Sequence, residues 1–205
     1  MICANGITSI GMRMSGKYEI RFAKSAPLEK TLAVMLQVAD QGAPAGLAEA
    51  DPQGVSARAA EISGFKAKSM GTLELIAPGG SAADRLLLLG LGKSEALTAN
   101  DWLRAGGAAA AQFKSSSNVV VFLDAPGLEV SAREAADFAL GVMLRGYTFD
   151  AYKTKKKDDE EKLPKKVAVT IVTGSHAEAA KMLDDANAVA GGVLLARDLV
   201  NLPPN

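Results

Sequence analysis

Four consecutive carboxylates, Asp158, Asp159, Glu160 and Glu161, sit among seven lysines in KTKKKDDEEKLPKK (153–166). Carboxylates that hold a catalytic metal pair must converge from separate positions, since two bridged cations need several oxygen or nitrogen ligands to clamp the attacking and departing oxygens of a hydrolysis. Neighbours in one lysine-rich loop describe a solvated charge run instead. The lysines could meet nucleic-acid phosphates, but the stretch lacks the arginines and interleaved aromatics of such sites, so a nucleic-acid-binding module acting through 153–166 stands only as an alternative. His176 is the only histidine. It falls in the first turn of an expected helix, where it reads as a surface polar residue without the partners a metal site requires. Asp184 and Asp185 are adjacent, so on a helix they point different ways. LGLGKSE (89–95) ends in Gly-Lys-Ser, as a phosphate loop does. The first glycine of that pattern would fall at Leu87, and the third glycine of a dinucleotide fingerprint would fall at Glu95, so both patterns fail. No catalytic, cofactor-binding or metal-ligating residue is therefore assigned in this chain.

The balance of the whole chain agrees with a solvated, globular polypeptide without a charged partner. Lysine plus arginine and aspartate plus glutamate both number 23, a net charge of zero, so no global field draws nucleic acid or an anionic membrane. With 48% hydrophobic and 22% charged residues over 205 positions, there is material for one sizeable core. Cys3 is the single cysteine, which leaves no internal disulfide and no cysteine-based zinc cage and suits a cytoplasmic setting. Residues 1–16 carry neither a basic stretch ahead of an apolar core nor an apolar run of signal-peptide length, and read as a disordered tail.

From residue 17 the hydrophobic pattern is regular enough to name the elements that would position any chemistry. KYEIRFA alternates Tyr18, Ile20 and Phe22 against Glu19 and Arg21, the period of a half-buried strand near a sheet edge. LAVMLQVA (32–39) is a continuous apolar run, as in a strand covered on both faces. VSARAAEISGF (55–65) predicts a short helix stopped by Gly64. MGTLELIA (70–77) and RLLLLGLG (85–92) flank the turn-rich PGGSAAD and predict neighbouring strands, the second in the sheet interior. Strand–helix cycles then follow, each helix opening on a Ser/Thr-x-x-Asp/Glu capping box: Thr98 with Asp101, Ser131 with Glu134 after NVVVFLD (118–124), and Ser175 with Glu178 after KKVAVTIVTG (165–174). Gly106 and Gly107 would weaken the helix near Ala99, and close packing on a sheet is the expected compensation. Alternating strands and helices predict an α/β fold with a mixed, mainly parallel sheet and helices on both faces. The last helix keeps Ala179, Met182, Ala186, Val189, Val193, Ala196 and Val200 at three-to-four spacing over about 25 residues, or about 38 Å. Gly191 and Gly192 would allow a bend or a close contact, and Pro203 and Pro204 forbid continuation.

The run AVAGGVLLARDLVNLPPN (188–205) resembles the interdomain segment of the leucyl, or cytosol, aminopeptidases through Arg197, Asp198, Leu199, Val200, Asn201, Pro203 and Asn205. LLLLGLGKSEALTANDWLRAGGAAAA (86–111) and RGYTFDAYKTKKK (145–157) are similar to segments of the same family's amino-terminal domain. The resemblance implies a macro-domain-like amino-terminal domain over 17–174, with residues 175–205 forming a long interdomain helix and the start of a linker to a catalytic domain outside this chain. It implies that the complete enzyme removes amino-terminal residues, often leucine, from peptides with two divalent cations, zinc or manganese, held in that other domain. The signature Asn-Thr-Asp-Ala-Glu-Gly-Arg of the catalytic domain does not occur here. The resemblance further implies a homohexamer around enclosed active sites, with this domain serving assembly and access. Through the macro-domain likeness it also raises nucleotide or ADP-ribose binding as a further alternative.

Overall fold

The computed structural model describes residues 17–44, 46–149, 164 and 166–202. The tail 1–16 and nearly all of the lysine-rich segment 153–166 lie outside the described residues, as do Pro203, Pro204 and Asn205. Six strands, β1 (Tyr18–Ala23), β2 (Leu32–Val38), β3 (Thr72–Ile76), β4 (Arg85–Gly92), β5 (Asn118–Phe122) and β6 (Val167–Val172), form one sheet in the order β1-β6-β5-β2-β4-β3. Every neighbouring pair is parallel except β3 with β4, which the short turn-rich connection joins as an antiparallel pair at one edge. β1 forms the other edge and shows the alternating burial expected of it, whereas β2 is buried on both faces.

Successive side chains on a strand point to opposite faces, and here they feed two cores. Leu32, Val34 and Leu36 of β2 join Val119, Val121, Val169 and Ile171 in one cluster, together with Trp102 and Phe138 from the helices and Phe113 just after one of them. Ala33 and Met35 join Leu86, Leu88, Val120 and Phe122 in the other, where Ala50 of the short helix α1 (Leu47–Ala50) and Phe65 beyond α2 (Val55–Ser63) pack. Helices α3 (Ala99–Ala111), α4 (Ala132–Arg145) and α5 (His176–Asn201) supply the first face.

Two of the three expected capping boxes form. The Asp101 carboxylate accepts from the Thr98 amide at 3.0 Å and from its hydroxyl at 2.6 Å, and Glu134 accepts from the Ser131 amide at 2.8 Å while Ser131 Oγ accepts from the Glu134 amide. The third does not form. Ser175 Oγ donates to the Val130 carbonyl at 3.0 Å, and Asp124, at the end of β5, accepts from the Gly174 amide at 2.8 Å and the Thr173 hydroxyl at 3.0 Å. A neighbouring strand end thus takes over the turn that enters α5. Gly64 ends α2 in the left-handed region, as its position predicts. The start of α2 has a cap that no motif announces: the buried Asp51 accepts from the amides of Val55 and Ser56 at 3.0 and 2.8 Å.

The glycines of α3 find a different partner from the expected one. A Cβ on Gly106 would sit 2.0 Å from the Phe138 carbonyl oxygen, and one on Gly141 would sit 1.9 Å from that of Leu103. Helix against helix, not helix against sheet, is the close approach, because these backbones cross where neither carries a side chain.

Candidate functional site at the end of the last helix

The final turns of α5 return to the end of α4, and there the motif residues gather. Tyr147 follows α4 directly. Its hydroxyl donates to Asp198 Oδ1 at 3.0 Å and accepts from Asn201 Nδ2 at 3.1 Å. Arg197 Nη1 donates to the Leu144 carbonyl at 2.8 Å, one of the carbonyls that the end of a helix leaves without an internal partner. The same guanidinium lies 5.6 Å from the centre of the Tyr147 ring, within cation–π range. Asn201 also donates to the Arg197 carbonyl at 2.8 Å. Burial pushes the Tyr147 hydroxyl above its ordinary value; Asn201 draws it down and the Asp198 acceptor adds to the rise. The hydroxyl is therefore a donor at neutral pH and not a base.

Beside this network runs an open groove of about 370 Å³, floored by Gly107 and Gly141 and walled by Arg104, Arg145, Arg197 and Tyr147. Arg104 reaches Asp101 at 3.5 Å, and Arg145 has no acidic partner among the described residues. Three guanidinium groups around a glycine floor make a surface for anionic side chains. No nucleophile lies beside a base among these lining residues.

The other candidate chemistry is dispersed. His176 is half-buried, with Nδ1 enclosed and unpaired among the described residues, so it is not the solvated surface residue its position predicts. It sits where the chain turns from β6 into α5 beneath the Asp124 cap. Asp184 and Asp185 are exposed, as expected. Among the described residues no group of three or more His, Cys, Asp or Glu is placed to hold a metal ion, so they do not fit a pair of catalytic cations. Of the lysine segment only Pro164 and Lys166 are described, and Lys166 pairs with Glu19. LGLGKSE is explained by the backbone. The Gly90 and Gly92 amides donate to the Gly71 and Ala67 carbonyls at 2.8 and 2.9 Å, which leaves them unable to cradle a phosphate. A Cβ on Gly90 would lie 2.4 Å from the Lys68 carbonyl oxygen. At the switch point between β2 and β5, where open α/β sheets bind ligands, the flanking loops touch: Gly46 lies against the Phe122 ring and Gly127 against the Gln41 side chain.

Residues 34–156, more than half of the chain, match the profile of the cytosol aminopeptidase family, N-terminal domain. The chain belongs to the cytosol aminopeptidase family. A probable cytosol aminopeptidase of Agrobacterium fabrum is 64% identical over 193 residues, covering 94% of this chain and 39% of that protein. One from Rhizobium etli strain CIAT 652 is 57% identical over 192 residues with the same coverage. The chain thus spans about two-fifths of the length of these family members. Among solved structures, a mutant of tomato leucine aminopeptidase superposes with a TM-score of 0.71 at 25% identity, covering 92% of this chain and 39% of that one. A bottromycin maturation enzyme shares the fold at a TM-score of 0.62 and 20% identity over 85% of this chain and 33% of its own.

Sequence patterns alone did not single out the arginine groove. Tyr147 lay in a segment noted only for its family likeness, and Arg104, Arg145 and Arg197 come from three helices whose crossing no local pattern encodes.

Proposed function

We propose that this chain is the non-catalytic amino-terminal domain of a two-metal leucyl aminopeptidase that removes amino-terminal residues, often leucine, from peptides. The observation that carries the reading is the coverage: a 94% match to this chain accounts for only 39% of family members named probable cytosol aminopeptidases. The peptide-binding site and the two divalent cations, zinc or manganese, belong in this reading to the remaining length. Residues 17–174 form the domain, and 175–205 form the helix and linker that lead to the catalytic part. The domain contributes to assembly of a homohexamer and to access to its active sites. The family name supports a cytoplasmic location, and no described helix is long and apolar enough to cross a membrane.

Hydrolysis of a chromogenic leucyl anilide, with manganese present, separates the parts. The full-length protein is expected to turn the substrate over and the purified 205-residue chain to release nothing. Turnover by the 205-residue chain would overturn the proposal.

A further inference from the structure

Helix α5 changes character along its length. Its first half exposes Glu178, Lys181, Asp184 and Asp185 to solvent. Residues 186–196 then contain no charged side chain. From there to its end the helix exposes Val189 (52%), Leu195 (59%), Leu199 (62%) and Val200 (84%), and Leu202 follows at 46%. At 100° per residue the buried Ala179, Ala186 and Ala190 share the face towards α4, Leu195 and Leu199 lie on the opposite side of the helix, and Val189 and Val200 lie on one flank between them. Apart from the exposed Asp198 and Asn201 beside Tyr147, the outer face of the end of α5 is therefore apolar, the pattern of a helix face that packs against a neighbour. The other large exposed apolar side chains among the described residues are Ile62, Ile76 and Met182.

Arg197 of the same helix joins Arg104 and Arg145 in walling the groove, so α5 carries an apolar outer face and borders a cationic groove on its α4 side. The hydrogen-bonded Tyr147, Asp198 and Asn201 hold the helix end in place beside it. The family members that match this chain are more than twice its length, and the patch occupies the last described turns.

We infer that the outer face of the last four turns of α5, with the adjoining arginine groove, is the docking surface for the part of the full-length chain that follows residue 205. That part lays apolar side chains over Val189, Leu195, Leu199 and Val200 and presents carboxylates to Arg104 and Arg145. Burial of apolar area fixes the two parts together, and the charge pairs set their register. The inference rests on the reading that the full-length protein continues into a second domain.

Hydroxyl-radical footprinting of the full-length protein tests it, each side chain being compared with itself in the urea-denatured chain. Leu195, Leu199 and Val200 are expected to be protected several-fold in the native protein. In the same protein, Leu199→Asp with Val200→Asp is expected to split a single thermal unfolding transition into two, and Arg145→Glu to lower the transition. Native reactivity equal to that of the denatured chain would overturn the inference. So would protection that is lost on dilution to the monomer, since a second copy of the chain would then be the cover. Because footprinting does not depend on turnover, a protein that hydrolyses the leucyl anilide yet leaves these side chains reactive sinks the docking surface and leaves the proposed function standing.

Discussion

Gly106 and Gly141 set how closely α3 and α4 approach. A methyl group at either position would meet a carbonyl oxygen at 2.0 or 1.9 Å, and backbone cannot step aside as a flexible side chain can. Gly141→Ala is expected to destabilise the chain by about 3 kcal/mol, the upper end of overpacking costs. A Cβ on Gly107, one residue along, would make only an ordinary van der Waals contact, 3.8 Å from the Gly141 carbonyl oxygen. Gly107→Ala is expected to be neutral or to stabilise by up to about 1 kcal/mol through helix propensity. Urea unfolding of both variants checks the contrast, and equal midpoints would refute the close crossing. A second residue-scale effect belongs to Glu74. Burial raises its carboxyl, but hydrogen bonds from Lys114 and Arg85, with their charges, outweigh this and hold it below the ordinary carboxylate range. The Arg85 Nε bond is 2.7 Å, and the same guanidinium ties β4 to Ser116 and to the carbonyls of Gln112 and Phe113 beyond α3. A depressed folded value means the stabilisation is present above about pH 4.3 and is lost as pH falls through the lower folded value. The stability gap between the parent and Glu74→Gln should therefore be widest near neutrality and narrow in acid, as denaturation at a series of pH values would show.

At the scale of elements, capping depends on what else competes for the side chain. Glu134 closes its box with Ser131 and also accepts from Trp102 Nε1 at 3.0 Å. Glu134→Ala should cost about 1 kcal/mol for the cap, with the Trp102 donor left unpaired as an added loss. Glu178 has the same sequence relation to Ser175 but no such bond: the Ser175 amide donates to Thr173 Oγ1 at 3.4 Å instead, and its hydroxyl to the Val130 carbonyl. Glu178→Ala should change stability by less than about 0.5 kcal/mol, as for an ordinary surface residue. Chemical denaturation of the pair decides it; equal losses would mean that the third box forms after all. The contact face of α5 shows the same dependence on surroundings. The apolar positions from Ala179 to Val200 recur at three-to-four spacing, but the structure buries Ala179, Ala186 and Ala190 and leaves Met182, Val189 and Val200 exposed. Alanines win because α4 lies close, and a stretch without charge from 186 to 196 offers no polar side to fix the rotation. Gly192 likewise meets nothing within 4 Å, so it makes no close contact here.

Over the whole molecule, the sheet order shows how a single fold carries surfaces for two purposes. The interior strands β2, β4, β5 and β6 are sealed by α3, α4 and the first half of α5 on one face and by the α1–α2 region on the other. The edge where α4 and α5 end carries an exposed apolar helix face and, in Arg145, a guanidinium without an acidic partner among the described residues. Here the shifted groups that are resolved serve ion pairs, a cap, a core ring edge and the helix-end network.

Much of the fold was legible because it rests on local chemistry. Period-two alternation identified β1, unbroken apolar runs identified β2, β4 and β5, and two capping boxes located α3 and α4, since each pattern concerns residues that must satisfy their own hydrogen bonds and bury their own faces. The ending Arg197-Asp198-Leu199-Val200-Asn201 was equally legible as a family likeness. Strand order, the α3–α4 crossing, the rotation of α5, the Asp124 cap and the arginine groove were decided only in the tertiary structure. Each depends on groups brought together from distant parts of the chain, where mutual burial and competition for hydrogen-bond partners choose among arrangements that local sequence leaves equal.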